Sequence, residues 1–144
     1  MKILPALIMT INICVHATTA VAELSNTSFP SIYGGKIETK QWAGKPYMVV
    51  NTASMCAFTR QYTSLQKLYD SYPDAGFGMV AVPSNDFNQE LSSDAEIKDF
   101  CELNYDIDMP MSETLSVKGL SAHPFFKAVK AEVGFVPSWN LIKF

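Results

Sequence analysis

Charge is scarce in this chain. Asp, Glu, Lys and Arg make up 17% of its 144 residues, and the formal net charge is −3. The few Lys and Arg are scattered, so the sequence has neither the basic footprint of a nucleic-acid binder nor a polybasic membrane patch. No group of His, Cys and carboxylates has metal-ligand spacing, and neither a metal nor a bound cofactor is expected. No internal repeat, low-complexity tract or interdomain linker interrupts the sequence, and its length suits one domain. No apolar run comfortably reaches the roughly 20 residues that a membrane span needs, so no stable membrane association is expected. What the chain has in quantity is apolar residues, 48% of the total. That is the balance of a compact globule rather than a disordered segment.

The first 22 residues differ from the rest. Lys2 is the only charge before Glu23, Ile3 to Val15 is mostly apolar, and small residues follow to Ala20-Val21-Ala22. A positive start, a short apolar run and an A-x-A ending are the order of a secretory signal peptide. The expectation is cleavage after Ala22 and export to the periplasm or the extracellular space, with an uncleaved anchor or tail as the alternative. Residues 23–144 are then the mature domain. Cys14 leaves with the peptide, and Cys56 and Cys101 remain. Two cysteines in an exported chain suit a structural disulfide or a reactive pair.

Along the domain, Tyr33-Gly34-Gly35-Lys36 predicts the turn of an N-terminal hairpin. Tyr47 to Asn51 is a short apolar run fit for a buried strand, and Phe77 to Val82 is a second. Between them Tyr62, Leu65, Leu68, Tyr69 and Tyr72 recur at helical spacing, stopped by Pro73-Asp74. Asp94 to Tyr105 predicts a helix, with Ser93 as N-cap and Glu96 at capping-box distance. Met109 to Val117 holds a candidate strand. Pro124 to Val133 predicts a helix closed by Gly134, and Trp139 to Phe144 the start of a further strand. Strands alternating with helices indicate an α/β sheet with helices on both faces.

Cys56 follows a buried strand and precedes a helix. That places it at the carboxyl end of a strand, where α/β folds put their ligands. The free N–H groups of the following helix favour a thiolate, the form that attacks a peroxide oxygen and becomes sulfenic acid. On position alone, an inert buried cysteine is an equal reading.

The segment Val50-Asn51-Thr52-Ala53-Ser54-Met55-Cys56-Ala57-Phe58-Thr59 resembles the active-site signature of glutathione peroxidases. The likeness continues through Gln61-Tyr62, Leu65 and Leu68-Tyr69. It resumes in Pro83 to Glu90, in Glu96-Ile97 with Phe100-Cys101, and in Asn104-Tyr105. Pro110-Met111, Ala122-His123-Pro124 and Trp139-Asn140 complete it. It spans about Tyr33 to Phe144, and its separate motifs stand in the family's order. The resemblance implies a thioredoxin-like fold and a thiol-dependent peroxidase that reduces hydrogen peroxide or organic hydroperoxides. Glutathione or a thioredoxin-like protein would be the electron donor. No segment resembles the family's longer oligomerisation loop, so a monomer or weak dimer is expected.

The family's active-site residues fall on Cys56, Gln89, Trp139 and Asn140. Two amides and an indole N–H are uncharged donors, suited to stabilising a thiolate or a departing oxygen. Cys101 is a candidate resolving cysteine, offset by one residue from the family pattern, and equally a candidate core residue. Asn85 is expected to cap a turn and His123 to serve structure at a helix start.

Several positions depart from the family. Ala57 stands where Gly is usual, and Leu91-Ser92 where Pro-Gly is usual. The chain stops at Phe144, where family members continue with a hairpin and a final helix, so the resemblance implies a sheet and helix set lacking those elements. A non-enzymatic remnant or binding module is therefore the alternative function. A disulfide exchanger is a third and weaker reading, because that chemistry usually shows C-x-x-C and the position three after Cys56 is Thr59.

Overall fold

The computed structural model describes residues 24–144. Residues 1–22, with the expected signal peptide and Cys14, lie outside the described residues. Two strands open the domain. β1 (Ser28–Pro30) and β2 (Lys36–Glu38) pair antiparallel, with Phe29 opposite Ile37. The chain reverses through Gly34 and Gly35 at φ of +88° and +74°, angles that a Cβ would strain. This is the hairpin expected from the sequence.

β3 (Tyr47–Thr52) pairs parallel with β4 (Gly78–Pro83), residue for residue from Tyr47–Gly78 to Thr52–Pro83. Backbone hydrogen bonds widen this pair on both sides. Beyond β4, Ala81 N donates to Pro110 O and Ser112 N to Ala81 O, both at 2.9 Å, and Ile32 N reaches Met111 O at 3.0 Å. Beyond β3, Phe144 N donates to Val49 O at 2.9 Å and Val49 N to Phe144 O at 3.1 Å. The central layer therefore runs 142–144, β3, β4, 110–112, 31–32.

Every residue of β4 is buried, as a strand covered on both faces requires. Its side chains alternate between two cores. Met79 and Ala81 join Val50, Tyr62, Leu65, Ile97 and Cys101. Val80 and Val82 join Val49, Phe29, Phe125, Phe126 and Val129. Helices α1 (Tyr62–Asp70) and α2 (Asp94–Tyr105) thus cover one face, and α3 (Pro124–Val133) covers the other.

The helix ends follow their sequence signals. Ser93 Oγ accepts from Glu96 N at 3.3 Å and meets Glu96 Oε2 at 3.2 Å. Gly134, at φ +69°, closes α3.

The strand expected over Met109–Val117 is a correction. Only Met111 and Ser112 make bridges. Beyond them the backbone N–H groups scatter: Glu113 and Leu115 donate to Pro30 O and Pro83 O, and side-chain carboxylates take others. Asp94 Oδ1 accepts from Thr114 N at 2.8 Å, and Asp86 Oδ2 accepts from Val117 N at 2.7 Å and Lys118 N at 3.0 Å. The expected strand from Trp139 is also shorter: its antiparallel bridge to β3 joins Lys143 to Val50.

Candidate active site

Cys56 lies in the turn that carries the chain from β3 toward α1. It is 8% exposed. A 3-10 turn, Thr59–Gln61, stands between it and α1. Thr59 pins the loop. Its Oγ1 accepts from Cys56 N at 3.1 Å, and its hydroxyl proton is within reach of Ala53 O (2.8 Å) and Cys56 O (2.6 Å). The position where a disulfide exchanger would carry its second cysteine therefore holds the staple of the turn. Phe58 N donates to Cys56 Sγ at 3.5 Å, one free N–H of the kind that favours a thiolate. Ala57, which stands where Gly is usual in the family, is absent from the positive-φ residues, so it needs no glycine conformation.

Gln89 and Asn140 meet, though they are far apart in sequence. Asn140 Nδ2 donates to Gln89 Oε1 at 3.0 Å. With its carbonyl end taken, Gln89 has only its N–H2 left to donate. The Gln89 backbone reaches the cysteine loop as well, because its carbonyl accepts from Met55 N at 2.9 Å. Trp139 is 43% exposed, and its ring leans on Phe87 at 5.5 Å between centroids. Among the described residues, no hydrogen bond runs from Gln89, Trp139 or Asn140 to Cys56 Sγ. The structure thus ties Gln89 to Asn140 and both to the Cys56 loop, and leaves Trp139 partly exposed against Phe87.

Asn51 is the residue that sequence reasoning passed over. It is fully buried in β3. Its Nδ2 donates to Trp139 O at 2.9 Å, and its Oδ1 accepts from Ile142 N at 3.1 Å. Its backbone carbonyl accepts from Leu141 N at 2.6 Å. Leu141 sits at φ +64°, a conformation that costs a bulky residue roughly 1–3 kcal/mol. These bonds hold that kink and so present Trp139 and Asn140. The signal was available, since an amide inside Val49-Val50-Asn51-Thr52 has to find partners once buried.

Both remaining cysteines are free thiols, so they form no structural disulfide. Cys101 is wholly buried on α2. Burial pushes its thiol up to about 11, against the pull of the Tyr62 hydroxyl beside it, with the charges of Glu90 and Glu102 adding to the rise.

His123 serves structure. Its ring stacks on Phe29 at 4.5 Å, its Nε2 pairs with Ser28 O at 3.1 Å and its Nδ1 accepts from Phe125 N. Burial pulls it below the usual histidine value, partly opposed by the Ser28 carbonyl. Asn85 caps its turn as expected, with its carbonyl accepting from Asn88 N at 2.9 Å and its Oδ1 from Glu90 N at 3.2 Å.

A parallel strand pair between helices, with a cysteine at the carboxyl end of one strand, defines a thioredoxin-like domain. A thioredoxin from Wuchereria bancrofti shares the fold at TM-score 0.52 and 18% identity, over 84% of this chain and 76% of that one. Within that class, the chain belongs to the glutathione peroxidase family, whose pattern residues 24–130 match. It is 41% identical over 120 residues to the glutathione peroxidase homologue BsaA of Bacillus subtilis, covering 79% of this chain and 75% of that protein. The crystal structure of T. cruzi GPX1 superposes at TM-score 0.63 and 26% identity, over 82% of this chain and 74% of the other.

Proposed function

We propose that Cys56 is the peroxidatic centre of a thiol-dependent peroxidase. Its thiolate attacks one oxygen of a hydroperoxide. The O–O bond breaks, the alcohol leaves with a proton, and the sulfur becomes sulfenic acid. A donor thiol then displaces water to give a mixed disulfide, and a second thiol releases Cys56 and the oxidised donor. Two thiols are consumed per hydroperoxide, and no prosthetic group takes part. The observation that carries this reading is the Gln89–Asn140 pair tied to the residue beside Cys56. The N–H2 of Gln89 is free to donate to the departing oxygen, where charge develops. Trp139, half-exposed beside Asn140, would bring its indole N–H as a further donor.

The donor is glutathione or a thioredoxin-like protein. Resolution by Cys101 requires α2 to open first, because that thiol is wholly buried. Direct reduction by an external thiol does not, so Cys101→Ser is expected to keep turnover with glutathione. The protein is proposed to be exported after cleavage at Ala22, which N-terminal sequencing of the secreted chain would show as a start at Glu23. It is proposed to act as a monomer or weak dimer. Treatment with peroxide and then dimedone tests the central step. The adduct is expected on Cys56, and its appearance elsewhere, or nowhere in a folded protein, would remove Cys56 from the reaction.

A further inference from the structure

Glu90 carries a half-buried carboxylate in the middle of this site that the chemistry above does not use. Its Oε1 accepts from Ser54 N and from Leu91 N, each at 2.9 Å. The neighbouring Gln89 carbonyl accepts from Met55 N. Two consecutive N–H groups of the cysteine loop, Ser54 and Met55, are thus held by two consecutive residues of the loop after β4. The second loop is itself braced, since Asn85 Oδ1 accepts from Glu90 N and Asn88 stands at φ +55°, a conformation that asparagine tolerates.

Glu90 Oε2 is buried with no well-aligned hydrogen bond among the described residues, but the Ser54 hydroxyl lies near enough to the carboxylate to oppose the rise that burial gives its pKa. A half-buried carboxylate is costly to keep, and burial raises its pKa above the usual carboxylate range. The compensation visible in the structure is the Ser54 hydroxyl and the pair of N–H bonds at Oε1.

We propose that Glu90 is a positioning residue for peroxide reduction: its carboxylate latches the Gln89-bearing loop to the Cys56 loop and sets the distance between the thiol and the amide donor. This rests on the reading of Cys56 and Gln89 given above. The latch depends on reach and on an acceptor oxygen. It does not depend on charge.

Two variants separate these properties. Glu90→Gln keeps the length and an acceptor oxygen, and places an N–H2 beside the Ser54 hydroxyl. Glu90→Asp keeps the charge and loses one methylene of reach. In Glu90→Asp, peroxide reduction is expected to slow by roughly ten- to a hundredfold, the scale of a misplacement near 1 Å. Alkylation of Cys56 by iodoacetamide, which needs no Gln89, is expected to stay near the wild-type rate. Glu90→Gln is expected to keep most of the peroxide rate.

Amide hydrogen exchange gives a readout independent of peroxide. Glu90→Asp is expected to speed exchange at Ser54 and Leu91 while α3 stays protected. The proposal is overturned if Glu90→Asp matches the wild type in peroxide rate, if Glu90→Gln is as slow as Glu90→Asp, or if exchange at Ser54 does not change. If the wild type shows no peroxide consumption beyond that of Cys56→Ser, the functional reading fails instead, and the exchange experiment still decides whether the latch exists.

Discussion

At the scale of single residues, the site is a set of backbone groups held by side chains that do no chemistry. Thr59 fixes the turn of Cys56, and Asn51 fixes the segment that ends in Asn140. Replacing Asn51 by Ala strands the Trp139 carbonyl and the Ile142 N–H and releases the Leu141 kink. The expected cost is about 2–4 kcal/mol in denaturant unfolding, the sum of a lost hydrogen-bonded pair and the groups left unpaired. The peroxide rate should fall with it. A substitution that leaves both unchanged would show that the segment holds itself. Gln89→Ala removes the donor proposed for the departing oxygen, and a loss of about a hundredfold in peroxide rate is expected, as for other preorganised donors. Stopped-flow kinetics on Cys56 oxidation would measure it.

At the scale of elements, most boundaries were legible because local chemistry and burial agreed. The capping box at Ser93, the Pro124 start, the Gly134 end and the Gly34-Gly35 turn all stand where the sequence put them. The segment after α2 was not legible. Its residues suit a strand, but Asp94 and Asp86, distant in sequence, take the N–H groups of Thr114 and Val117. Periodicity carries no trace of that competition.

Two elements give direct tests. Ser93→Ala should cost about 1 kcal/mol through loss of the N-cap, seen as a Tm lower by a few degrees. His123 gives a pH signature. Its folded-state pKa lies below the ordinary histidine value of 6.5 because burial disfavours the charged ring, so the unfolded chain binds the proton more readily. Its contribution is complete above 6.5 and is lost as pH falls through the lower folded-state value. Thermal melts across that window should show a loss in the wild type that is smaller in His123→Asn, which keeps a capping side chain and does not titrate. Equal losses would mean that another group dominates.

At the scale of the whole molecule, one sheet places two thiols in very different positions. Cys56 sits at the strand end beside the surface residues Met55 and Phe58, whereas Cys101 is sealed in the core with its thiol raised to about 11. In the folded protein, Cys101 should resist alkylation until denaturant is added, and mass spectrometry of labelled peptides would show this. Rapid native labelling of Cys101 would mean that α2 opens readily and would bring internal resolution back as the main route. The sequence motifs placed Cys56, Gln89 and Asn140 near one another. They did not show that Asn140 would pair with the carbonyl of Gln89 and leave its N–H2 as the donor, since that depends on the Leu141 kink and the buried Asn51.

The central claim is that Cys56 reduces hydroperoxides at the expense of a thiol. Its most direct measurement is hydrogen peroxide consumption by the purified chain with glutathione or thioredoxin as donor, beside Cys56→Ser. The account predicts turnover that disappears in the variant. Equal consumption by both proteins, or none by a wild type shown to be folded, would contradict it and favour a domain that keeps the fold without the chemistry.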